Sequence, residues 1–189
     1  MIYNKKIFQI IHNEIKSTPK VISFADDSNE FKIDIYIGEN KSDVGLSTYS
    51  TLGLSKYPIG VIDSEGKEIR VEFIGVCDSD FKEFPNIIAS CAFDIIKNNY
   101  SCRPGMININ AVEQYYDGLE MRHIYYTAPS YWENLQGIEL DGHIVNWLFA
   151  IPISDSELEY LEKYGDQAFE ELLEEKNTEV FDIYRDSVV

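Results

Sequence analysis

Three histidines, His12, His123 and His143, are the imidazole groups that this chain of 189 residues could use for acid–base chemistry. General-base catalysis needs such a group beside a nucleophile, with a third residue to orient it. His12 falls on the apolar side of a predicted helix, which is typical of a structural histidine, and the other two flank predicted strands. Serines occur near glycines between positions 45 and 55, but without the G-x-S-x-G spacing of a serine hydrolase. We therefore predict no catalytic residues and no enzyme activity.

The spacing of the remaining polar residues does not favour a cofactor or a metal. The chain contains neither a P-loop nor a G-x-G-x-x-G sequence, which are fingerprints of phosphate-binding sites. Asp78-Ser79-Asp80 lacks the glycine and the later glutamate of a calcium loop, so we expect a loop that precedes a helix. Cys77, Cys91 and Cys102 form no C-x-x-C pair. We expect them to be buried free thiols in a reducing cytosol, with no cofactor and no metal bound.

Negative charge is the strongest signal in the composition, because 33 acidic residues outnumber 16 basic ones and leave a net charge of −17. Such a surface repels nucleic acid and anionic membranes and attracts basic proteins. Much of the charge lies in two consecutive predicted helices near the end of the chain. The last four acidic residues of these helices are our candidate partner-binding residues: Glu170, Glu171, Glu174 and Glu175. The alternative is a solvated helix face without a partner.

Hydrophobic periodicity predicts the elements that position these residues. Residues 2–16 carry apolar side chains three and four positions apart, which predicts an amphipathic helix that ends at Thr18-Pro19. Period-two alternation and turn residues then predict four strands, of which the last two form a hairpin: residues 31–37, 44–54, 59–62 and 68–76. We expect a tight turn at residues 38–40. An antiparallel sheet follows from this order of strands.

The second half of the chain begins with a predicted core helix that starts near Pro85 and ends near Asn99. Its apolar residues occupy several sides, so we expect it to be covered on more than one side. Strands are predicted at residues 106–109, 122–127 and 144–153. The last of these is almost continuously apolar, so we expect an interior strand, and we expect Pro152 to end it.

Capping signals define the helices that follow. Ser154 and Glu157 have the spacing of a capping box, Gly165 is expected to stop that helix, and a second acidic helix is expected to run to about residue 175. The tail beyond Asn177 keeps several apolar residues and is expected to dock on the domain. The predicted fold class is α+β, with a mixed, largely antiparallel sheet packed against helices.

The chain as a whole is predicted to be one domain over residues 1–189. Its N-terminal segment lacks a continuous apolar run and a small-residue cleavage site, so we do not expect a signal peptide. No stretch of about 18 apolar residues occurs either. We therefore expect a soluble, cytoplasmic protein that binds neither membranes nor nucleic acid.

Two segments are informative in their order and spacing. They are T-L-G-L-S at residues 51–55 followed by Pro58, and W-L-F-A-I-P-I at residues 147–153 followed by a helix pair that ends in A-F-E-E-L-L at residues 168–173. Both resemble the signature segments of the suppressor-of-fused (SUFU) domain family, and the resemblance spans about residues 30–176. The matched residues are expected to have scaffold roles, since a glycine permits an unusual turn and a tryptophan fills core space.

The resemblance implies a function as well as a fold. Short bacterial members of the family are associated with immunity to polymorphic toxins, often nucleases, whereas the larger animal member sequesters a transcription factor. We therefore expect a non-enzymatic binding protein that neutralises a cognate protein toxin with a basic surface. One alternative is a peptide-binding adaptor with an exposed sheet edge near Tyr49. Another is a hydrolase that uses His123 or His143. The identity of the toxin, the surface that binds it and the oligomeric state are left open.

Overall fold

A mixed β-sheet lies at the centre of the structure, a computed structural model that describes residues 2–39, 45–98 and 101–189. Within these ranges the strands are β1 (Pro19–Ala25), β2 (Lys32–Glu39), β3 (Leu46–Leu52), β4 (Val61–Ile62), β5 (Glu68–Asp78), β6 (Ile107–Asn108), β7 (Met121–Thr127), β8 (Ile138–Leu140) and β9 (His143–Ser154). The α-helices are α1 (Ile2–Ile15), α2 (Phe84–Asn98), α3 (Asp155–Tyr164) and α4 (Asp166–Glu175), and a short 3-10 helix spans Leu54–Lys56.

The strand order is β1-β2-β3-β5-β9-β7-β6, with β4 paired to β5 and β8 paired to β9. The two longest strands, β5 and β9, lie side by side and run parallel, whereas the other described pairs are antiparallel. The predicted α+β class with a mixed, largely antiparallel sheet is therefore confirmed.

Helices cover both faces of the sheet. Neighbouring residues of a strand point to opposite sides, so each central strand contributes side chains to the core on both faces. Phe73 and Leu148 pack on the face that carries α2. Ile74 and Trp147, which is 0% exposed, pack on the opposite face with the apolar sides of α1, α3 and α4. Each large apolar side chain buried in this way contributes roughly 1.5–3 kcal/mol. The expectation that Trp147 fills core space is confirmed.

A buried carboxylate fixes the turn after β3. Both oxygens of Glu72, which is 0% exposed, accept hydrogen bonds from the backbone N–H groups of Gly53, Leu54 and Ser55 and from the hydroxyls of Thr51 and Ser55. Gly53 has a φ of +103°, which confirms the unusual backbone expected there. Burial raises the pKa of Glu72, and the hydrogen bonds offset part of that rise.

Most predicted elements are confirmed, with some differences. Neither the edge strand β1 nor the short strand β8 was predicted. Pro152 does not end β9, which continues to Ser154. It is tolerated because the pairing of β9 with β5 stops at Phe149, so the missing N–H of Pro152 interrupts no bond to that neighbour. The predicted turn at 38–40, the start of the strand at 44 and the helix end at 99 extend outside the described residues.

The end of the chain confirms three further expectations. Ser154 and Glu157 form the predicted capping box, and Gly165 separates α3 from α4 with a φ of +87°. The tail docks, because Val180 and Ile183 are buried. In the part of the chain that the structure describes, no helix is long and apolar enough to cross a membrane.

Candidate protein-binding surface

The predicted acidic residues lie on α4, and the buried side of this helix decides which of them face solvent. Phe169 and Leu173 point into the core at 0% and 7% exposure. The helical periodicity then turns Glu171, Glu174 and Glu175 outward, and all three are exposed. They form the exposed acidic face of α4.

Glu170 differs from the other three because it is half-buried and tied to the sheet. Its Oε1 accepts a hydrogen bond from the hydroxyl of Tyr125 at 2.8 Å and another from the hydroxyl of Thr127. The pKa of Tyr125 is raised, first by burial and then by this carboxylate. The structure therefore brings Glu170 together with β7, where it also fixes the position of α4.

A groove of about 280 Å³ lies between α4, the end of β7 and the second half of β9. Glu170 and Glu174 line one side of it, and Tyr131 lines another. Tyr131 is 60% exposed, yet its ring contacts Phe149 and Phe181 at centroid distances of 5.7 and 5.2 Å. The groove thus combines carboxylates with an aromatic ring that is held in place, a combination that suits a cationic side chain. Tyr131 was missed in the sequence, where an aromatic residue next to Pro129-Ser130 in a loop was the available signal.

The three histidines lie on three different elements, α1, β7 and β9. His12 stacks on Phe8 with ring centroids 5.5 Å apart, as expected for a structural residue. His123 is 2% exposed; its Nδ1 accepts a hydrogen bond from the backbone of Asn110, and its Nε2 lies 2.9 Å from a carboxylate oxygen of Asp155. His143 is half-buried, and its Nδ1 lies 3.1 Å from Oε2 of Glu68. These contacts place each imidazole in a different local environment.

The cysteines are free and buried, which confirms the expectation for all three. Burial raises the pKa of Cys77 to about 12 and that of Cys91 to about 11, so both thiols are poor nucleophiles. Asp78 accepts a hydrogen bond from the backbone of Asp80 in the turn between β5 and α2, as expected for a loop that precedes a helix. Among the described residues, no group of three or more His, Cys, Asp or Glu could hold a metal ion.

The proposed sheet edge near Tyr49 is wrong. β3 pairs with β2 on one side and with β5 on the other, and Tyr49 is 3% exposed with its ring against Phe84 at 5.2 Å. The tyrosine-rich segment around Tyr49 therefore lies in an interior strand, and a hydroxyl of the same strand, that of Thr51, donates to the buried carboxylate of Glu72. β1 and β6 lie at the edges of the described sheet.

Comparison with known proteins bears on the family. The model of the family described as suppressor of fused protein (SUFU) matches residues 29–186. The chain belongs to the SUFU family. A full-length relative, the immunity protein YqcF of Bacillus subtilis (strain 168), is 36% identical over 187 residues, which is 98% of this chain and 97% of that protein.

Solved SUFU structures share the fold. The SUFU homolog from Neisseria gonorrhoeae FA 1090 has a TM-score of 0.75 at 17% identity. The match covers 100% of this chain and 98% of that homolog. Suppressor of Fused from Drosophila has a TM-score of 0.66 at 11% identity. That match covers 98% of this chain and 50% of the Drosophila chain. A chain of the Sufu-Fu complex gives a TM-score of 0.68 at 12% identity, with coverage of 98% of this chain and 92% of that chain.

The two SUFU-like segments have structural explanations. T-L-G-L-S at residues 51–55 wraps around the carboxylate of Glu72. In the second segment, Trp147 fills the core and donates a hydrogen bond from Nε1 to the hydroxyl of Ser50 at 3.0 Å. The buried residues of the SUFU segments therefore contribute to the scaffold.

Proposed function

We propose that this protein is an immunity protein, which binds a cognate toxin and blocks it without catalysis. The observation that carries the proposal is the 36% identity, over almost the full length of both chains, with a protein named as an immunity protein. A net charge of −17 supports a basic partner. In this proposal the protein acts in the cytosol, where an incoming or self-made toxin would act.

The exposed acidic face of α4 is the proposed contact region. Glu171, Glu174 and Glu175 would meet lysine and arginine side chains of the toxin, and the groove beside Tyr131 would accept one of them. If the toxin is a nuclease, these carboxylates would occupy positions that substrate phosphates take in its basic groove. Binding there would block the substrate by occupancy.

Co-expression tests the function directly. The protein encoded immediately upstream, and its C-terminal domain alone, would each be produced with and without this chain, and growth and co-purification would be scored. Growth arrest that this chain relieves, together with a stable complex, is the expected result. A toxin that continues to arrest growth in the presence of this chain would contradict the proposal.

Charge reversal tests the surface with a matched control. We expect Glu171→Lys/Glu174→Lys to weaken toxin binding at least tenfold, because each reversal replaces an attraction with a repulsion. Glu159→Lys/Glu162→Lys makes the same charge change at the same spacing on exposed positions of α3 and is expected to change binding less than threefold. Equal effects of the two pairs would show that only net charge matters. Glu170→Gln is measured separately, because Glu170 also holds the sheet.

An adaptor that pairs an extended peptide with a sheet edge is the second candidate. The observation that favours it is the position of β1, a seven-residue edge strand on which Val21 is 45% exposed. A stable complex with a non-toxic protein would favour this function, whereas protection from a toxin would disfavour it. Val21→Lys, placed on the exposed side of β1, is expected to impair peptide capture and to spare toxin binding.

A further inference from the structure

The C-terminal tail extends the molecular surface beyond α4, with Asn177, Glu179 and Tyr184 exposed. A second cavity, of about 360 Å³, adjoins the α4 groove and shares Tyr131, Asn177, Thr178 and Val180 with it. Glu179 and Asp182 line this second cavity. Glu179 and Asp182 therefore extend the acidic surface from α4 onto the tail.

Exposed tyrosine rings lie at both ends of this part of the tail surface. At one end is Tyr131, 60% exposed. At the other end are Tyr184 and Tyr116, 53% and 48% exposed, whose rings lie 6.2 and 5.9 Å from the buried ring of Phe81. We name the exposed side of residues 177–184, together with Tyr131 and Tyr116, the tail strip.

The tail strip is fixed to the domain by buried side chains and by local hydrogen bonds. Val180 and Ile183 are anchored in the core at 6% and 0% exposure, whereas Glu179 and Tyr184 beside them are exposed and Asp182 between them is half-buried. The backbone N–H of Tyr184 donates to Oδ1 of Asp182 at 2.8 Å, and that of Asp182 donates to the carbonyl of Glu179 at 2.9 Å. A partner that bound here would pay little to order the strip.

Exposed tyrosines on a fixed backbone are suited to a protein interface. Tyrosine is enriched at the centres of protein interfaces, because its ring buries much apolar area with few rotatable bonds and its hydroxyl still forms hydrogen bonds. The carboxylates between the rings, Glu179 and Asp182, select a partner of positive charge. Arginine fits best, since its guanidinium can stack on a tyrosine ring while it donates to a carboxylate.

We propose that the tail strip is the main docking surface for the toxin, with arginine side chains of the toxin packed over Tyr131 and Tyr184 and paired with the carboxylates between them. This inference rests on the proposed function and deepens it. The exposed acidic face of α4 then lies at one end of the interface, where it attracts the toxin as the two proteins approach. The tyrosines supply most of the binding energy.

Tyrosine substitution in the full-length protein tests the inference, with the C-terminal domain of the upstream-encoded protein as the probe. Tyr131→Ala and Tyr184→Ala are each expected to weaken affinity about tenfold or more, measured by titration calorimetry. Tyr164→Ala is the matched control, because Tyr164 is also 53% exposed but lies at the end of α3. It is expected to change affinity less than twofold. Urea unfolding of each variant separates a binding defect from a folding defect.

A charge-reversal variant tests the tail strip without changing its tyrosine rings. Glu179→Lys, on the strip, is expected to weaken affinity about tenfold, whereas Glu159→Lys, on α3, is not. One outcome is that the wild-type protein protects cells and binds the toxin domain, and the strip variants bind as tightly as the wild type. The proposal that the tail strip is the docking surface is then overturned, and the immunity function stands. If the wild-type protein neither protects nor binds, both proposals are overturned.

Discussion

The guanidinium group of Arg185 grips the buried carboxylate of Glu157 through two hydrogen bonds: Nη1 donates to Oε1 at 2.5 Å and Nη2 donates to Oε2 at 2.8 Å. Glu157 is 0% exposed and Arg185 is 9% exposed. The same carboxylate accepts hydrogen bonds from the backbone of Ser154, at the start of α3, and from that of Val188 in the tail. One carboxylate therefore joins the cap of a helix to the segment that carries the tail strip.

Removal of the arginine should destabilise the protein strongly. We expect Arg185→Leu to lower the free energy of unfolding by about 3–5 kcal/mol, because it leaves a buried carboxylate without its cation. Arg122→Leu is the control, since Arg122 pairs with Asp155 and Glu113 but is 36% exposed, and surface pairs contribute roughly 0–1 kcal/mol. Urea unfolding monitored by tryptophan fluorescence measures both. Similar losses in the two variants would contradict the role of the buried pair.

The pair also illustrates which parts of the fold could be predicted from the sequence. The capping box and the stop at Gly165 are local signals a few residues long, and both are confirmed. The second role of Glu157 depends on Arg185, which lies 28 positions away, and no local pattern reports such a contact. β1 was missed for a related reason: its sequence P-K-V-I-S-F-A alternates poorly, since an edge strand needs to bury less of one face.

The candidate surface divides in the same way. Helical periodicity was enough to place Glu171, Glu174 and Glu175 on a solvent-facing side of α4. It could not separate Glu170 from them, because the hydroxyl of Tyr125 that holds Glu170 comes from a strand 45 positions earlier. The groove beside Tyr131 is likewise formed by segments that meet only in the folded chain.

A methyl group at Gly53 should disturb the turn that wraps Glu72. A Cβ there would lie 2.6 Å from Oδ1 of Asn4, whose amide donates to the carbonyl of Leu52 at 3.0 Å, and φ is +103°. We expect Gly53→Ala to cost about 2–3 kcal/mol of unfolding free energy, from strain and overlap together. Gly60→Ala tests strain alone, since φ is +70° and no atom lies within 4 Å; it should cost about 1 kcal/mol. An equal loss at both glycines in thermal or urea unfolding would rule out the overlap.

Low pH should remove the contribution of Asp26 to the stability of the folded protein. Hydrogen bonds from the hydroxyl of Ser28 and the backbone of Phe31, with the ammonium of Lys97 in addition, hold the pKa of Asp26 well below its usual range. A lowered pKa in the folded state stabilises the protein above the unfolded value of about 4 and stops doing so as the pH falls toward the folded value. The stability difference between wild type and Asp26→Asn should therefore narrow below about pH 4. The exposed Asp27→Asn is the control, and a difference for Asp26→Asn that does not change with pH would contradict the prediction.

Association kinetics should separate the two ends of the proposed interface. Charge on α4 acts before contact, so we expect the association rate with the toxin domain to fall about tenfold or more as salt is raised from roughly 0.01 to 0.15 M, where the screening length shortens from about 30 to 8 Å. Glu171→Lys/Glu174→Lys should reduce both the rate and its salt dependence. Tyr131→Ala should instead speed dissociation, because the ring acts only after contact. Stopped-flow mixing at several salt concentrations measures these rates. A charge-reversed pair that altered only dissociation would show that the charge on α4 does not attract the toxin before contact.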